Sequence, residues 1–450
     1  MKISNRQIIR LVSLGVLIIA GGILCIIRWD AWFGNLPEQP YVPSAVPHNI
    51  VINYGEQAAN QRVITWCADT VAHKSRLRLV TPAGDTSFVV PSDTLIYSRA
   101  GKAVYYKAEL NNLNVGTYRY SIAAEDTATG WHKFEIKPFH SANFVIIGDV
   151  QDEPGGSSAD IFRAIDSLNP NADCWAFVGD IIERPTDAYW QYWFSTMDSV
   201  NYTKPIIAAT GNHEYLKGVV KHLDTRWTSI FANPLNGPHR LKRTSYYIDF
   251  PHIRYIVIDT DGINSFSDYT IASAWLRRVT SVNSKKWNIL MMHHPIHSAS
   301  QGRENVILNL ILRHSIDNTD VIIQGHDHNY ARRFSRSDTI PVTPVFVVTS
   351  TAGKYYLPKV NPADDRILSG HPVYNTMRIN GDTLTFRTFA AEDNTLYDQF
   401  TIVKNDTSTT IIDQTPDVPE IIDLPDRYKN KENAKIRRFR NRRDARINEK

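Results

Sequence analysis

The 450-residue chain is 42% hydrophobic and 21% charged, which leaves room for two or three domains with a large core and excludes wholesale disorder. Its net charge of +4 is unevenly placed: residues 426–450 hold eleven Lys/Arg against four Asp/Glu, so a basic tail follows a slightly acidic body. Three cysteines (Cys25, Cys67 and Cys174) with no CxxC pair exclude a disulfide framework, so any metal here is held by nitrogen and oxygen.

Residues 1–10 carry Lys2, Arg6 and Arg10, and 11–27 is an uncharged apolar run closed by Arg28, the layout of an export signal. The run is long for a cleaved signal and slightly short for an ideal span. No small-x-small site stands behind it, and Leu24 before Cys25 does not suit a lipoprotein signal. Residues 1–33 are predicted to be an uncleaved membrane anchor, with a cleaved signal and a secreted or periplasmic protein as the alternative. In both cases the basic end stays cytoplasmic and the body of the chain is extracytoplasmic. Pro37, Pro40, Pro43 and Pro47 mark 34–48 as a Pro-rich linker holding the body off the membrane.

Short alternating strands at 50–53, 62–66, 76–80, 105–110, 117–123 and 133–136, with turn signals at 82–85 and 126–130, predict a small all-β sandwich over 49–138. It carries no ionisable cluster and reads as scaffold or binding module. From 142 the pattern changes to strand–helix units. Strands are predicted at 143–147, 175–178, 206–209, 255–258, 289–292 and 321–323. Helices are predicted at 159–168, 189–197, 272–279 and 305–313. This is an α/β layout, spanning 142–404. Strands dominate again from 345 to 403, with a hairpin signal at Asn380-Gly-Asp382. Residues 405–450 are predicted to be a disordered tail, basic from 426, with too few apolar residues around Ile436 and Phe439 for a firm amphipathic helix.

Five strand ends carry the chemistry. Gly-Asp149 is followed by Gln151, and Gly-Asp180 by Glu183. Gly-Asn212-His213-Glu214, His293-His294-Pro and Gly-His326-Asp-His328 complete the set. Each alone has an ordinary explanation: an aspartate after Gly caps a helix, Asn212 makes a turn, and a histidine sits in a core or a loop. Ligands of α/β sheets collect at the carboxyl ends of strands, so in this order the five sets predict one shared metal site. Imidazole suits zinc, iron, manganese or nickel.

In that order the motifs resemble the calcineurin-like metallophosphoesterase superfamily, over about 142–404. Ser-Tyr-Tyr-Ile-Asp-Phe at 245–250, Ile-Val-Ile-Asp-Thr at 256–260 and Trp275-Leu276 support the resemblance. Val-Ile-Thr-Trp at 63–66 and the stretch 113–120 resemble the fibronectin-III-like domain that precedes the catalytic domain in purple acid phosphatases, so the nearest branch is purple acid phosphatase-like. The resemblance implies a four-layer sandwich, two mixed sheets flanked by helices. It implies two divalent or trivalent ions (Fe, Mn or Zn), one held by Asp149, Asp180 and His328, the other by Asp180, Asn212, His293 and His326. Asp180 bridges them. It further implies attack by a metal-bridging hydroxide, no covalent intermediate, and His213 as proton donor or charge stabiliser, with Glu214 as its orienting partner.

Two departures limit the likeness. Glu183 stands where the purple enzymes have a tyrosine that gives their colour. Gln151 stands where many relatives have His, and is either a ligand or a donor beside the metal. The 154–158 loop, residues 215–243, His294 and His297 are expected to shape the pocket and meet substrate.

The reading is an exported metal-dependent phosphoric ester hydrolase acting on mono- or diesters, either small molecules or envelope components. Its rival is a non-catalytic envelope binding or adhesion protein that keeps the fold. Retention of His213 with the full ligand set weighs against that rival. The tail is either a solvated extension or an attachment to an anionic surface. Nucleic acid is not expected, because the compartment is wrong and Phe439 is the tail's one interleaved aromatic beyond Tyr428.

Overall fold

A computed structural model describes residues 5–70, 75–124, 127–138, 140–282, 284–405 and 407–449, apart from the side chains of Asn5, Ile8, Asp198 and Glu449. Lys2 and the first residue of the turn expected at 126–130 lie outside these residues.

Two mixed sheets face one another, and alternation along their strands decides what each face meets. In the strand Ser141–Ile147, Phe144 and Ile146 point into the core between the sheets, while Val145 and Ile147 point outward. The outward face is covered by the helices Ser158–Leu168 and Asp187–Asn201 through Phe162, Ile165, Trp190, Trp193 and Met197. On the second sheet, Ile256, Ile258, Leu290, Met292 and Ile322 are covered by Phe266–Ser281 and Val306–Leu312 through Trp275, Leu276, Val279, Leu308 and Leu312. The result is helix, sheet, sheet, helix: the four layers expected.

The strands that matter for chemistry are parallel and central. Ser141–Ile147, Cys174–Phe177 and Ile206–Ala208 lie side by side in the first sheet. Ile253–Ile258, Trp287–Met292 and Val321–Gln324 do so in the second. Their carboxyl ends open toward the same place.

A β-rich region precedes this assembly. The strands His48–Tyr54, Arg62–Ala68, Gly101–Leu110 and Ser92–Ser98 form one layer, and Ser75–Val80, Thr86–Val89, Gly116–Ala124, Thr127–Ala128 and His132–Ile136 form the other. Ile52, Ile64, Trp66, Leu79, Tyr118, Tyr120 and Phe134 fill the space between them. The first of these layers is not separate. His48–Tyr54 pairs parallel with Ile206–Ala208, Asn53 opposite Ile206, so a single 11-stranded sheet runs through both parts. Thr65 Oγ1 donates to the Ile230 carbonyl at 2.7 Å and the Tyr54 ring meets Phe250 at 5.2 Å, which ties the junction further.

The helix Asn5–Phe33 contains an apolar stretch, Ile9–Phe33, of 25 residues with none of its hydrophobic window buried. The linker that follows is extended but is not a free spacer. Asn35 exchanges two hydrogen bonds with the Lys217 backbone, at 2.8 and 2.9 Å. Glu38 is buried, paired with Arg226 at 2.6 Å and Arg99 at 3.6 Å, and accepts the Asp187 backbone N–H. Buried ion pairs with partners more than sixty residues away are what fasten it.

The expectation of disorder over 405–450 is also corrected. Thr409–Asp413 extends the first sheet beside Leu396–Lys404, Ile421–Ile422 pairs with Arg366–Ser369, and Ala434–Glu449 is a helix. Two apolar side chains three positions apart suffice to dock it: Ile436 and Phe439 are buried against Leu357, Val360, Ile367, Ile422 and Leu424. Arg446 closes the far end on Glu420, with its Nη2 at 2.8 Å from Oε1. Phe439→Ala is expected to cost about 3 kcal/mol. Amide exchange should then speed up across 434–449 while the sheets stay protected. Unchanged protection of the helix would sink this account of its docking.

Candidate metal centre

Each strand end delivers its side chain through a tight turn. Gly211 has no room for a side chain, since a Cβ there would lie 2.2 Å from Asp180 Oδ1. Gly179, at φ +93°, would meet the Gly211 backbone and the His293 ring at 2.8 Å. Beyond these glycines Gln151, Asp180, His326 and His328 hold left-handed backbone, at φ 41°, 50°, 72° and 52°. Each such residue costs roughly 1–3 kcal/mol and persists only where its surroundings force it. The strain gathers at one spot.

At that spot Asp180, His293 and His326 each offer a ligand atom within 4.8 Å of the others, and so do Asp149, Asp180 and His328. Asp180 belongs to both groups. Asn212 Oδ1 lies 3.0 Å from His326 Nδ1, and His293 Nε2 lies 3.3 Å from the same nitrogen. The backbone fixes which ring nitrogens look inward. His293 Nδ1–H donates to the Val178 carbonyl at 3.0 Å and His328 Nδ1–H to the Lys354 carbonyl at 3.1 Å, leaving both Nε2 atoms for the site.

Electrostatics agree with a donor set for cations. Burial, added to by the His293 charge, pushes His294 down to about 3, and burial with Lys354 nearby pushes His328 down to about 3. Burial with His294 and His293 beside it likewise depresses His326. These three imidazoles are neutral, which for His326 and His328 is the form that ligates. Burial alone would raise Asp180, but His293, His213 and their hydrogen bonds outweigh it and hold the carboxyl well below the usual range. Gln151 donates its amide to Asp180 Oδ2, and its own carbonyl oxygen is buried without a hydrogen-bond partner. Burial pushes the Asp149 carboxyl up to about 8, and at His293 burial is outweighed by the charges of Asp180 and Asp149, which raise the imidazole to about 10, so these two groups hold a proton that a cation would displace. Two carboxyls, the imidazoles of His293, His326 and His328, an amide oxygen and an orphaned carbonyl oxygen fit cations.

His213 stands at the rim, its side chain 25% exposed, with Nδ1–H donating to the Glu183 carbonyl at 2.5 Å and Nε2 4.0 Å from Asp180 Oδ2. Glu214 is not its partner, which corrects the sequence reading. Glu214 is wholly buried and accepts backbone N–H groups from Gly211 at 2.6 Å, Ile181 at 2.7 Å, Asp180 at 3.0 Å and Ile182 at 3.3 Å. A carboxylate ringed by four amides shapes the turn that carries Asp180; it has no lone pair left for the imidazole.

His294 lies beside the centre, its ring 4.3 Å from that of His326 and its Nδ1 3.0 Å from Thr260 Oγ1. His297 does not join them. It turns the other way, its ring 4.6 Å from Phe346, and lines a separate cavity with Asn305, Arg313 and Arg333. The buried Pro295 and Ile296 carry the chain away from the site within three residues. The 154–158 loop does reach it: Ser157 and Ser158 line a cavity of about 280 Å³ with Gln151, Glu183, Thr351 and Lys354.

Four neighbours were not singled out from the sequence. Arg303 donates to His326 Nε2 at 2.7 Å, and Lys354 pairs with Glu183 at 2.7 Å. Asp261 faces His294 at 3.5 Å with neither carboxylate oxygen hydrogen-bonded. Asp327 takes Ser298 Oγ and the Ala299 N–H, both at 2.6 Å, and so positions the turn before Arg303. Asp327 was at least visible between the two histidines.

Residues 142–330 match the family model described as calcineurin-like phosphoesterase. No curated protein matches the chain. Among solved structures, the fold is similar to a purple acid phosphatase, PPD1, from yellow lupin (Lupinus luteus) seeds. That match has 16% identity, covers 81% of this chain and 75% of that one, and has a TM-score of 0.66. It is also similar to PhoD, at 10% identity, covering 85% and 95%, with a TM-score of 0.59.

Proposed function

Residues 142–330 are a calcineurin-like phosphoesterase domain, and on that premise we propose that this metal-dependent phosphoesterase is an exported hydrolase of phosphate mono- or diesters working at two cations. The observation that carries the reading is Asp180 shared between two donor groups. We assign one cation to Asp149, Asp180 and His328, and the other to Asp180, Asn212, His293 and His326, with Gln151 beside Asp180. When bound, the pair supplies a water nucleophile at neutral pH and neutralises charge on the phosphoryl oxygens.

The chain's own residues do the rest. Water adds across the P–O bond: its oxygen joins phosphorus, the bond to the leaving oxygen breaks, and that oxygen takes a proton from His213 Nε2. The Glu183 carbonyl accepts from Nδ1–H and steadies the ring through this exchange. Lys354 and Arg303 flank the centre as counter-charges for non-reacting phosphoryl oxygens.

His213→Gln is expected to lower kcat by roughly 10²-fold or more, with metal content unchanged. The loss should be greatest for alkyl phosphates, whose leaving oxygen needs the proton, and least for p-nitrophenyl esters. An equal loss on both would remove His213 from that role. The protein loaded with manganese, zinc or iron should hydrolyse an activated aryl phosphate. No turnover with any of them would favour a non-catalytic envelope adhesion protein.

The apolar helix supports export with retention at a membrane. The β-rich region supports a scaffold of fibronectin-III-like type. Lys435, Arg437, Arg438 and Arg442 are exposed on the last helix, which supports attachment to an anionic surface, each cation adding about 1 kcal/mol. Reversing Arg437, Arg438 and Arg442 to Glu should weaken binding of the protein to anionic vesicles, most at low salt. Equal binding by both proteins at low salt would refute that attachment.

A further inference from the structure

The last turns of the apolar helix hold Trp29 and Trp32, both half-exposed, where interfacial aromatics belong. Only Gly34 separates Phe33 from Asn35, whose amide is paired twice with the Lys217 backbone. The charged Arg28 and Asp30 place residues 29–33 at headgroup depth, a layer about 5–7 Å deep on each side of the bilayer, and from Phe33 two residue steps span at most about 7 Å. The hairpin Tyr215–Leu216/His222–Leu223 is therefore held against the surface that the helix enters. Its tip is Lys217-Gly-Val-Val-Lys221, with Val219 77% and Val220 54% exposed. Two bare valines between lysines suit the headgroup boundary of a bilayer.

The same hairpin is a wall of the metal centre. It leaves directly from the turn Asn212–Glu214. Tyr215 donates to Asp259 at 2.5 Å, and Lys221 pairs at 3.6 Å with Asp261, which faces His294. One short element thus touches both the entrance of the site and the plane of the membrane.

We infer that the tip 217–221 rests in the headgroup layer and that the site takes phosphoester headgroups presented by that bilayer. This rests on the phosphoesterase reading above. Water adds to phosphorus, the lipid alcohol or the headgroup alcohol leaves with the proton from His213, and no other reactant is needed.

The test uses the full chain, loaded with metal, in phosphatidylcholine vesicles carrying phosphatidic acid or phosphatidylglycerol. Glycerol 3-phosphate and glycerophosphoglycerol serve as the same chemistry free in solution, and a p-nitrophenyl ester as the control. Bilayer lipid should be turned over at least about ten-fold faster than its soluble counterpart, and the double variant Val219→Asp/Val220→Asp should lose about ten-fold on lipid while keeping the aryl ester rate. The retained aryl rate also reports that the variant folds. Equal lipid turnover by variant and parent would overturn the inference, as would turnover of the soluble esters without the lipids. If the aryl ester itself is untouched, the phosphoesterase reading fails first and this one with it.

Discussion

Asp180→Asn should empty at least one cation site and abolish nearly all turnover while leaving the fold intact. The carboxylate is the one group common to both donor sets, and an amide offers a single neutral oxygen where two anionic ones stood. Losing an ion that contributes several kcal/mol to transition-state charge stabilisation slows the reaction by roughly 10³-fold or more. Structure should survive for two reasons. Asparagine tolerates the left-handed backbone at φ 50° at least as well as aspartate. Its remaining oxygen can still accept the His213 N–H, now at 2.8 Å from Oδ1. Elemental analysis after dialysis, thermal unfolding and turnover decide the matter. Two retained metals with near-normal turnover would refute the shared role.

Glu214→Ala should act on the same site from behind. The truncation leaves four buried backbone N–H groups without an acceptor. Each unpaired buried donor costs roughly 1–3 kcal/mol, so even with relaxation the variant should be less stable by at least about 4 kcal/mol. The turn bearing Asp180 loosens with it, and metal affinity should fall by roughly 10–100-fold, the usual consequence of losing a group that orients a ligand. Denaturant unfolding with a metal titration tests both. A variant of normal stability and affinity that loses only the leaving-group dependence conferred by His213 would restore the earlier assignment of Glu214 as that histidine's partner.

The gathering of Asp149, Asp180, Asn212, His293, His326 and His328 was legible because it is written into local sequence: an apolar strand and then a ligating side chain, five times over, with a glycine between them in all but the His293 set. The partnership of Glu214 was not, because three of its donors come from residues 32 to 34 positions earlier. Sequence adjacency also misled at His297, where two buried residues turned the ring out of the site. The clamps at Asn35 and Glu38 were hidden for the same reason as Glu214. Their partners Lys217 and Arg226 lie 182 and 188 positions away. The last helix was missed because its buried apolar face is only Ile436 and Phe439, with Ile447 left exposed, and an arginine-rich stretch with so few apolar residues has no clear period. What docks it is a surface made by other parts of the chain.

The joint between His48–Tyr54 and Ile206–Ala208 sets a timetable for synthesis. The earlier strand leaves the ribosome some 150 residues before its neighbour, roughly 8–30 s at ordinary elongation rates of about 5–20 residues per second. Arg62–Ala68 can take one of its edges almost at once, but the other edge must wait with bare amides and carbonyls. During that interval the nascent N-terminal half is a ready acceptor for a strand from a second chain.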